Sequence, residues 1–507
     1  MKQFDNFNRK KGLMYNTVSS LIFQIVTVIC GFILPRLILQ EYGSSINGLL
    51  NSITQFLGII AFMELGVGAV VQSALYEPLA NKDLVSVSRI IVSADRFYKK
   101  IGILLILYTL FLMVFLPNIL SNSFERWFIS IMIAVMFLNS FVQYYFGIVD
   151  RLLLSADQRG YIQHAVQIPA CLLNTLACYI LIKIRANIVF VKFCTSFIFL
   201  MQPFILRIII NKLFRIDRCI SYKSEPIKQK WNGLAQHIAA IGLDSTDILV
   251  LTVLSTLENV SIYSVYNLVI YGIRNIFVVL TSGIQSYWGN MWVKREFEEL
   301  KESFSYYEWL IHMGVVLIFG CTGALIVPFV QIYTRDINDT NYIVPIFAIV
   351  LTIAHGCRCL RLPYDILIKS VGHYKETQWN YVIAVIINVT ISIVTVKIYG
   401  LIGVAIGTLI AMIYQTLWMA WYDRIKVISL PITSFKKLIF VDIICIIIGW
   451  WGSILISFEI NSYIDWFLLA SIKFVFWSII VSFVNIFVYK NYIISLLRNF
   501  NIRYKSE

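Results

Sequence analysis

Long apolar blocks separated by short polar segments dominate the chain. A helix of about twenty apolar residues spans the hydrocarbon core of a bilayer, which is about 30 Å thick. A membrane β-barrel would instead show segments of about ten alternating residues. The pattern therefore predicts an all-α polytopic membrane protein with about fourteen transmembrane helices. The predicted spans are 15–39, 45–72, 101–119, 126–149, 162–182, 187–209, 234–256, 261–290, 309–332, 342–362, 379–398, 401–421, 438–457 and 464–488.

The composition agrees with a membrane protein. Hydrophobic residues make up 59% of the 507 residues and charged residues only 14%. Soluble proteins carry about a quarter charged residues. The net charge of +14 would favour a nucleic-acid partner in a soluble protein, so its distribution along the chain decides what it means.

Lysine and arginine are concentrated on one side of the predicted membrane. With the N-terminus inside, the inner segments hold 31 of these residues and the outer segments hold 6. Positive residues favour the cytoplasmic side of the membrane. The pattern therefore predicts that both termini are cytoplasmic, and it gives no reason to expect a nucleic-acid partner.

Two connections have distinctive sequences. The inner segment 84–100, "LVSVSRIIVSADRFYKK", places apolar residues on one side and basic residues on the other. This pattern is typical of a helix that lies in the membrane interface. The spans 379–398 and 401–421 are almost contiguous, which predicts a tight turn between them.

A weak internal repeat relates the two halves of the chain. "SSINGLLNSITQF" (44–56) aligns with "VSIYSVYNLVIYG" (260–272), and span one then corresponds to span seven. Parallel repeats of this kind form many transporters, with the substrate site between the halves. The repeat predicts two pseudo-equivalent six-helix lobes around a central cavity, at 1–215 and 216–430. Helices 13 and 14 and a basic tail occupy 431–507.

Span seven, "HIAAIGLDSTDILVLTVLS", contains Asp244 and Asp247 near its middle. A charged side chain at the bilayer centre costs about 2.5–3.5 kcal/mol on insertion scales. The two residues are three apart and share a helix face. A hydrated cavity would account for both carboxylates, and Glu64 lies in a comparable position beside the polar stripe of span two.

Other spans of the repeat also carry polar faces. Span eight presents Asn267, Tyr271, Arg274 and Gln285, span one presents Gln24, and span two presents Asn51. Arg274 lies at nearly the depth of Asp244. We predict that these faces line the central cavity.

Structural roles compete with this interpretation. Asp244 or Asp247 could pair with Arg274 and hold two helices together. Arg36, Arg358 and Arg361 lie near the ends of their spans, where they could extend to lipid headgroups.

The sequence contains no motif for a catalytic metal or for nucleotide binding. It has no H-E-x-x-H pattern and no P-loop. The nine cysteines are scattered and mostly lie within spans, where they behave as small hydrophobic residues. Every predicted outer loop is short, so we do not expect an enzyme, a metal site or an organic cofactor.

The segments "NTVSSLIFQIVTVICGFILPRLILQEYG", "FMELGVGAVVQSALYEPLANKD" and "RLLLSADQRGYI" resemble bacterial polysaccharide flippases, the O-antigen and capsule repeat-unit exporters of the Wzx type. Lipid II flippases and multidrug/toxin extruders belong to the same superfamily, the multidrug/oligosaccharidyl-lipid/polysaccharide exporters. The resemblance covers the whole chain by topology, and its motifs are loose.

The resemblance implies a flippase in the bacterial plasma membrane. It would move undecaprenyl-diphosphate-linked oligosaccharide from the inner to the outer leaflet by alternating access. Cationic cavity residues of the family are thought to hold the diphosphate or acidic sugars, and Arg274 is the best match by position. The carboxylate pair departs from a purely cationic cavity.

The resulting hypothesis assigns roles to the candidate residues. The substrate would contact Arg274, Asn267, Tyr271, Gln285, Gln24, Asn51, Arg36 and Arg358. Asp244, Asp247 and Glu64 would bind a coupling ion, either H⁺ or Na⁺. A polysaccharide polymerase and chain-length machinery are the expected protein partners. A multidrug extruder and a lipid II-type flippase are the alternatives.

Overall fold

The structure is a computed structural model that describes residues 9–59, 65–121, 123–214, 216–222, 225–227, 234–281, 283–490 and 492. Regular secondary structure in these residues is helical throughout, which confirms the all-α prediction. The helices are α1 (Arg9–Gly58), α2 (Leu65–Ala80), α3 (Leu84–Leu120), α4 (Arg126–Val142), α5 (Ile148–Ala156), α6 (Gly160–Lys183), α7 (Ile188–Leu213), α8 (Leu234–Leu254), α9 (Leu257–Leu280), α10 (Ile284–Lys294), α11 (Phe297–Tyr333), α12 (Pro345–Leu360), α13 (Leu362–Val371), α14 (Tyr374–Tyr399), α15 (Leu401–Tyr422), α16 (Ile432–Leu455) and α17 (Tyr463–Val488).

The helices account for the predicted spans. Twelve helical stretches of the described chain are long and apolar enough to cross a membrane. One of them, Met14–Gly58, contains two helices that meet at Gly43, where φ is 83° and ψ is 176°. With α8, which has 21 residues, each of the fourteen predicted spans overlaps a helix. The fold-class prediction is confirmed.

The predicted tight turn joins α14 to α15 through Gly400 alone. Its φ of 54° is in the left-handed region, which favours glycine. The two helices then pack closely along their length. A Cβ atom on Gly403 would lie 2.4 Å from the carbonyl oxygen of Thr395, and one on Gly407 would lie 2.2 Å from Ser392 Oγ.

We expect Gly403→Ala to destabilise the protein by about 1–3 kcal/mol, because the contacted atoms belong to the backbone and cannot move aside. The apparent melting temperature of the detergent-solubilised chain measures this effect. Gly272→Ala is the control, since no atom lies within 4 Å of its Cβ position. Equal melting temperatures for the two variants would contradict the close approach.

The chain forms two compact units, Met1–Ser261 and Ile262–Glu507. Unit 1 contains α1 to α8 and the start of α9. One apolar cluster joins α2, α3, α5 and α7 around Leu75, Ile91 and Leu153. A second cluster joins α1, α3, α4 and α7 around Ile53 and Leu116.

The interfacial helix predicted over 84–100 is instead the first half of α3, a continuous helix of 37 residues. Val87, Ile90 and Ile91 are buried in the first apolar cluster of unit 1 rather than against lipid. Asp83 caps the helix by accepting hydrogen bonds from the backbone N–H groups of Val85 (3.1 Å) and Ser86 (3.0 Å). Hydrogen bonding with Ser86 lowers the pKa of the Asp83 carboxyl.

In unit 2, the last two helices pack against α11. Trp477 of α17 is buried and donates a hydrogen bond from Nε1 to Ser453 Oγ of α16 (2.8 Å). Its ring lies against two glycines, Gly320 of α11 and Gly449 of α16. A Cβ atom would lie 2.3 Å from the ring at Gly320 and 2.6 Å from it at Gly449. The absence of side chains at these glycines is what lets the three helices meet.

The outward faces of α16 and α17 are apolar. Leu455 is 86% exposed and Phe487 is 72% exposed. Exposed apolar residues on this scale are unusual on a soluble monomer and suit contact with lipid chains.

Helix lengths recur between the units. Both α3 and α11 have 37 residues, and α6 and α14 have 24 and 26. A short motif also recurs with identical spacing, because Asp150, Leu152 and Ser155 of α5 correspond to Asp365, Leu367 and Ser370 of α13. This agrees with the weak repeat seen in the sequence. The predicted domain limits at 215 and 430 stay predictions, because compact units report packing rather than repeats.

Candidate functional site

Arg274 lies in the second half of α9 and is only 8% exposed. Its guanidinium carbon is 4.7 Å from the ring centre of Tyr271, one turn earlier. This cation–π contact orients the guanidinium beside an aromatic ring that is 49% exposed. Asn267, one turn before Tyr271, is half-buried, and Gln285 at the start of α10 is exposed.

Two further arginines belong to the same region of unit 2. Arg358 lies in the last turn of α12, and Arg361 lies at the junction of α12 and α13. Both act electrostatically on the thiol of Cys359, as does Arg274. Arg358 and Arg361 flank Cys359 in the sequence, and Arg361 is buried to 8% exposure. We call Arg274, Arg358 and Arg361 the arginine cluster.

The candidate residues of span one and span two lie on α1 in unit 1. Gln24 is exposed and Arg36 is half-buried. Asn51 is half-buried and donates from Nδ2 to the carbonyl oxygen of Asn47 (2.8 Å). Asn47 in turn donates to Ser261 Oγ (2.7 Å).

Some polar residues of α1 hold it against α8. Ser52 of α1 and Thr252 of α8 share a hydrogen bond of 2.7 Å between buried hydroxyls. The carbonyl group of Leu257 approaches Gly48 so closely that a Cβ there would lie 1.9 Å from the oxygen. The polar residues at these levels therefore have a packing role within unit 1, which the sequence pattern could not distinguish from a cavity lining.

The structure describes the three carboxylates assigned to ion coupling to different extents. Asp247 on α8 is only 2% exposed. For Asp244 only the backbone, within α8, is described, and Glu64 lies outside the described residues. Asp247 belongs to unit 1 and Arg274 to unit 2, and their pairing stays a prediction.

A second buried polar group, which the sequence analysis missed, lies in unit 2. Arg424 donates from Nη2 to both carboxylate oxygens of Glu308, at 2.7 and 2.5 Å. Tyr364 donates its hydroxyl proton to Glu308 Oε1 (2.5 Å). His312 Nδ1 lies 2.6 Å from Asp442 Oδ2. We call these five residues the Glu308 network.

One feature of the sequence could have indicated this network. Asp442 is the only charged residue within the predicted span 438–457, and an isolated intramembrane carboxylate points to a partner. The partner itself was not visible, because His312 is 130 residues away.

Unit 1 has a comparable buried ion cluster. Asp150 of α5 is fully buried and pairs with Arg218 (2.5 Å) and Arg207 (3.4 Å), and Arg218 also pairs with Asp95 of α3 (2.9 Å). Near it, in the turn after α5, Asp157 pairs with Arg159 at 2.9 Å. Burial raises the pKa of the Asp157 carboxyl despite this arginine.

Comparisons with known proteins give matches among solved structures. The lipid II flippase MurJ in an inward closed conformation superposes with a TM-score of 0.67 and 12% identity, over 92% of this chain and 98% of that one. An inward-facing multidrug resistance MATE family transporter of the MOP superfamily gives 0.58 and 16%, over 81% and 97%. A MATE protein in complex with MaD3S gives 0.54 and 15%, over 82% and 96%.

The chain shares the fold of these solved transporter structures. No family model matches the sequence, and no curated protein matches it. At these identities the superpositions show the fold alone.

The arginine cluster and the Glu308 network are both formed by residues of unit 2. Helix α12 contributes Arg358 to the arginine cluster, and α13 contributes Tyr364 to the Glu308 network. Three guanidinium groups can bind phosphate oxygens bidentately. A buried chain of alternating donors and acceptors can hold a proton. Among the described residues, no group of three or more His, Cys, Asp and Glu is arranged to hold a metal ion.

Proposed function

We propose that this protein is a flippase for undecaprenyl-diphosphate-linked oligosaccharide repeat units of the capsule or O-antigen type. It would act in the bacterial plasma membrane, with both termini cytoplasmic, and move its substrate to the outer leaflet by alternating access. The observation that carries this proposal is the arginine cluster. Three arginines in apolar helices of unit 2, each of which acts electrostatically on Cys359, would supply the positive charge that a diphosphate requires.

The arginine cluster favours an anionic substrate over a cationic one. Each guanidinium would repel a cationic drug. A diphosphate presents several anionic oxygens that can accept charge-assisted hydrogen bonds from more than one arginine. The fold of MurJ, a lipid II flippase, agrees with a diphosphate-linked lipid.

The neutral candidates suit a sugar. Asn267, Tyr271, Gln285, Gln24 and Asn51 carry donors and acceptors that can replace water around hydroxyl groups. Arg36 would contact acidic sugars or the diphosphate. We propose that these residues and the arginine cluster line one hydrated cavity.

The lipid tail would remain in the membrane beside the last two helices. A cavity of about 190 Å³, lined mainly by apolar residues of α11, α12 and α16, lies on this side of unit 2. A polyprenyl chain needs such an apolar path, because its transfer into water is unfavourable by about 0.8 kcal/mol for each CH₂ group. Polymerase and chain-length proteins would then use the flipped oligosaccharide.

Reconstitution of the full chain into liposomes tests the substrate class. Three substrates are supplied in parallel: a fluorescent undecaprenyl-diphosphate oligosaccharide, lipid II and a cationic dye. Accessibility of each to an impermeant reagent is followed over time. Flipping of the oligosaccharide lipid supports the proposal. Movement of the dye alone would make the protein a multidrug extruder, and movement of lipid II alone would make it a peptidoglycan precursor flippase.

Asp247 has the burial expected of an ion-coupling residue. We expect Asp247→Asn to lower flipping at least tenfold and to remove its dependence on a Na⁺ or H⁺ gradient, because the amide keeps the shape but not the charge. The same liposome assay measures this with each gradient imposed separately. Asp336→Asn, in the turn after α11, is the control. Unchanged gradient dependence in Asp247→Asn would remove this residue from the coupling site.

A further inference from the structure

The Glu308 network forms a continuous chain of buried groups within unit 2. Asp442 of α16 contacts His312 of α11, whose Nε2 lies 3.4 Å from the hydroxyl oxygen of Tyr364 on α13. Tyr364 bonds to Glu308, which bonds to Arg424. All five residues are buried, with exposed fractions of 7% for Asp442, 1% for His312, 0% for Tyr364, 2% for Glu308 and 1% for Arg424.

The short hydrogen bonds indicate where a proton can be held. Glu308 accepts from Arg424 twice and from Tyr364 once, so it is an ionised acceptor. The only hydroxyl hydrogen of Tyr364 is thereby used, which leaves its oxygen as an acceptor 3.4 Å from His312 Nε2. His312 Nδ1 donates to Asp442 when that carboxyl is ionised.

The pair can therefore exist in two states. A neutral imidazole donates from Nδ1 to the Asp442 carboxylate, and a protonated imidazole also donates from Nε2 to the Tyr364 oxygen. The second state holds one proton more than the first.

A further buried carboxylate follows the network in the chain. Asp423 is fully buried, and within the described chain its carboxylate oxygens have no hydrogen-bond partner. Because Asp423 precedes Arg424 directly, additional negative charge in the network would be costly.

Cavities lie at both ends of the chain of groups. Asp442 and Thr352 are on the wall of the 190 Å³ cavity among apolar side chains such as Phe319 and Trp450. Glu308 and Ser434 line a second cavity of about 500 Å³, which Lys437 and Tyr489 also border. Both volumes exceed the ~10–15 Å³ that one water requires, but only the larger cavity has a wall with the several polar partners that an ordered water needs.

We propose that the His312–Asp442 pair is a proton-binding site that exchanges one proton with water in the larger cavity by way of Tyr364 and Glu308, and that H⁺ is the coupling ion. Loading transfers one H⁺ from hydronium to the pair and leaves water, and unloading reverses this without any other bond change. Histidine suits the role because its charge changes near neutral pH. The coupling part rests on the proposed function, whereas the proton site does not.

Groups from every neighbouring element act on this pair. They favour or oppose the proton according to their charge, and together they set the pH at which it is lost. They are Glu308 on α11, Cys357 on α12, Tyr364 on α13, Arg424 after α15 and Tyr489 after α17.

Histidine NMR of the full chain in lipid tests the site without any substrate. The protein contains only five histidines, so ring-labelled samples give few signals, and His312→Gln assigns one set. We expect His312 to change from doubly to singly protonated between pH 5 and 9. In Asp442→Asn the midpoint of this change should fall by at least one pH unit, a tenfold loss of proton affinity. His164 in unit 1 serves as the internal control.

Tyr364→Phe is the second variant, because it removes the Nε2 acceptor and leaves Asp442 in place. We expect a smaller fall in the His312 midpoint than in Asp442→Asn. A His312 signal that stays singly protonated throughout, or that titrates alike in all three proteins, would overturn the proton site.

The flipping assay then tests coupling. A pH gradient should speed flipping at least fivefold in the wild-type protein and have no effect in Asp442→Asn. A His312 that titrates as expected together with unchanged gradient dependence in Asp442→Asn would overturn the coupling role. If no oligosaccharide lipid moves under any condition, the proposed function fails, while the NMR result still decides the proton site.

Discussion

Under the proposed function, we expect Arg274→Ala to lower flipping of the undecaprenyl-diphosphate oligosaccharide by at least a hundredfold, with an unchanged amount of protein in the membrane. Removing a charge-assisted partner from a desolvated ion contact costs about 2–5 kcal/mol. A factor of ten corresponds to about 1.4 kcal/mol. The stacking of the guanidinium at 4.7 Å from the Tyr271 ring places it for contact with a bound anion. The liposome assay described above measures the initial rate.

Matched variants separate charge from geometry. Arg274→Lys keeps the positive charge but lacks the planar fork, so we expect an intermediate rate. Arg335→Ala is the control, because that arginine is in the turn after α11 and donates to the carbonyl oxygen of Asn461 (2.8 Å). Wild-type flipping by Arg274→Ala would refute the assignment of the diphosphate to this residue.

Arg424→Met should cause the largest loss of stability. The change leaves the Glu308 carboxylate buried without its bidentate partner. Breaking a buried ion pair from one side costs about 3–5 kcal/mol, whereas replacing both partners with apolar groups costs far less. We therefore expect a large fall in the apparent melting temperature for Arg424→Met and partial recovery when Glu308→Met is added. Unfolding of the detergent-solubilised chain, followed by tryptophan fluorescence, measures both.

A surface ion pair provides the comparison. Lys301 and Glu298 are 2.8 Å apart, and the Glu298 side chain is 81% exposed. Such pairs contribute about 0–1 kcal/mol, so Lys301→Met should leave the melting temperature nearly unchanged. Equal losses in Lys301→Met and Arg424→Met would contradict the role given to burial, and a double variant less stable than Arg424→Met would do the same.

The transmembrane helices could be predicted because span length depends on local hydrophobicity. The turn at Gly400 was predicted on the same basis, since two apolar blocks met with no room for a loop. The segment 84–100 was misjudged because amphipathic helices look alike whether they lie on lipid or on protein. Its partners, such as Leu153 and Ile210, are remote in the sequence.

The candidate site was predictable only where a charge interrupts an apolar run. Arg274 and Asp247 were found in this way. Arg424 belongs to a basic segment between two predicted spans, yet it is only 1% exposed. A π-helical turn over Asp423–Val427 follows α15, and Arg424 lies in this turn and reaches Glu308. Pairing across 116 residues depends on tertiary structure, and the sequence pattern around either residue does not reveal it.

The seat of Trp477 between Gly320 and Gly449 bears on how a lipid tail could accompany its headgroup. Because the Trp477 ring is enclosed by α11 and α16, displacement of α17 against either helix would disturb close packing. Under the proposed function, the polyprenyl chain would therefore meet the same pair of helices throughout the transport cycle.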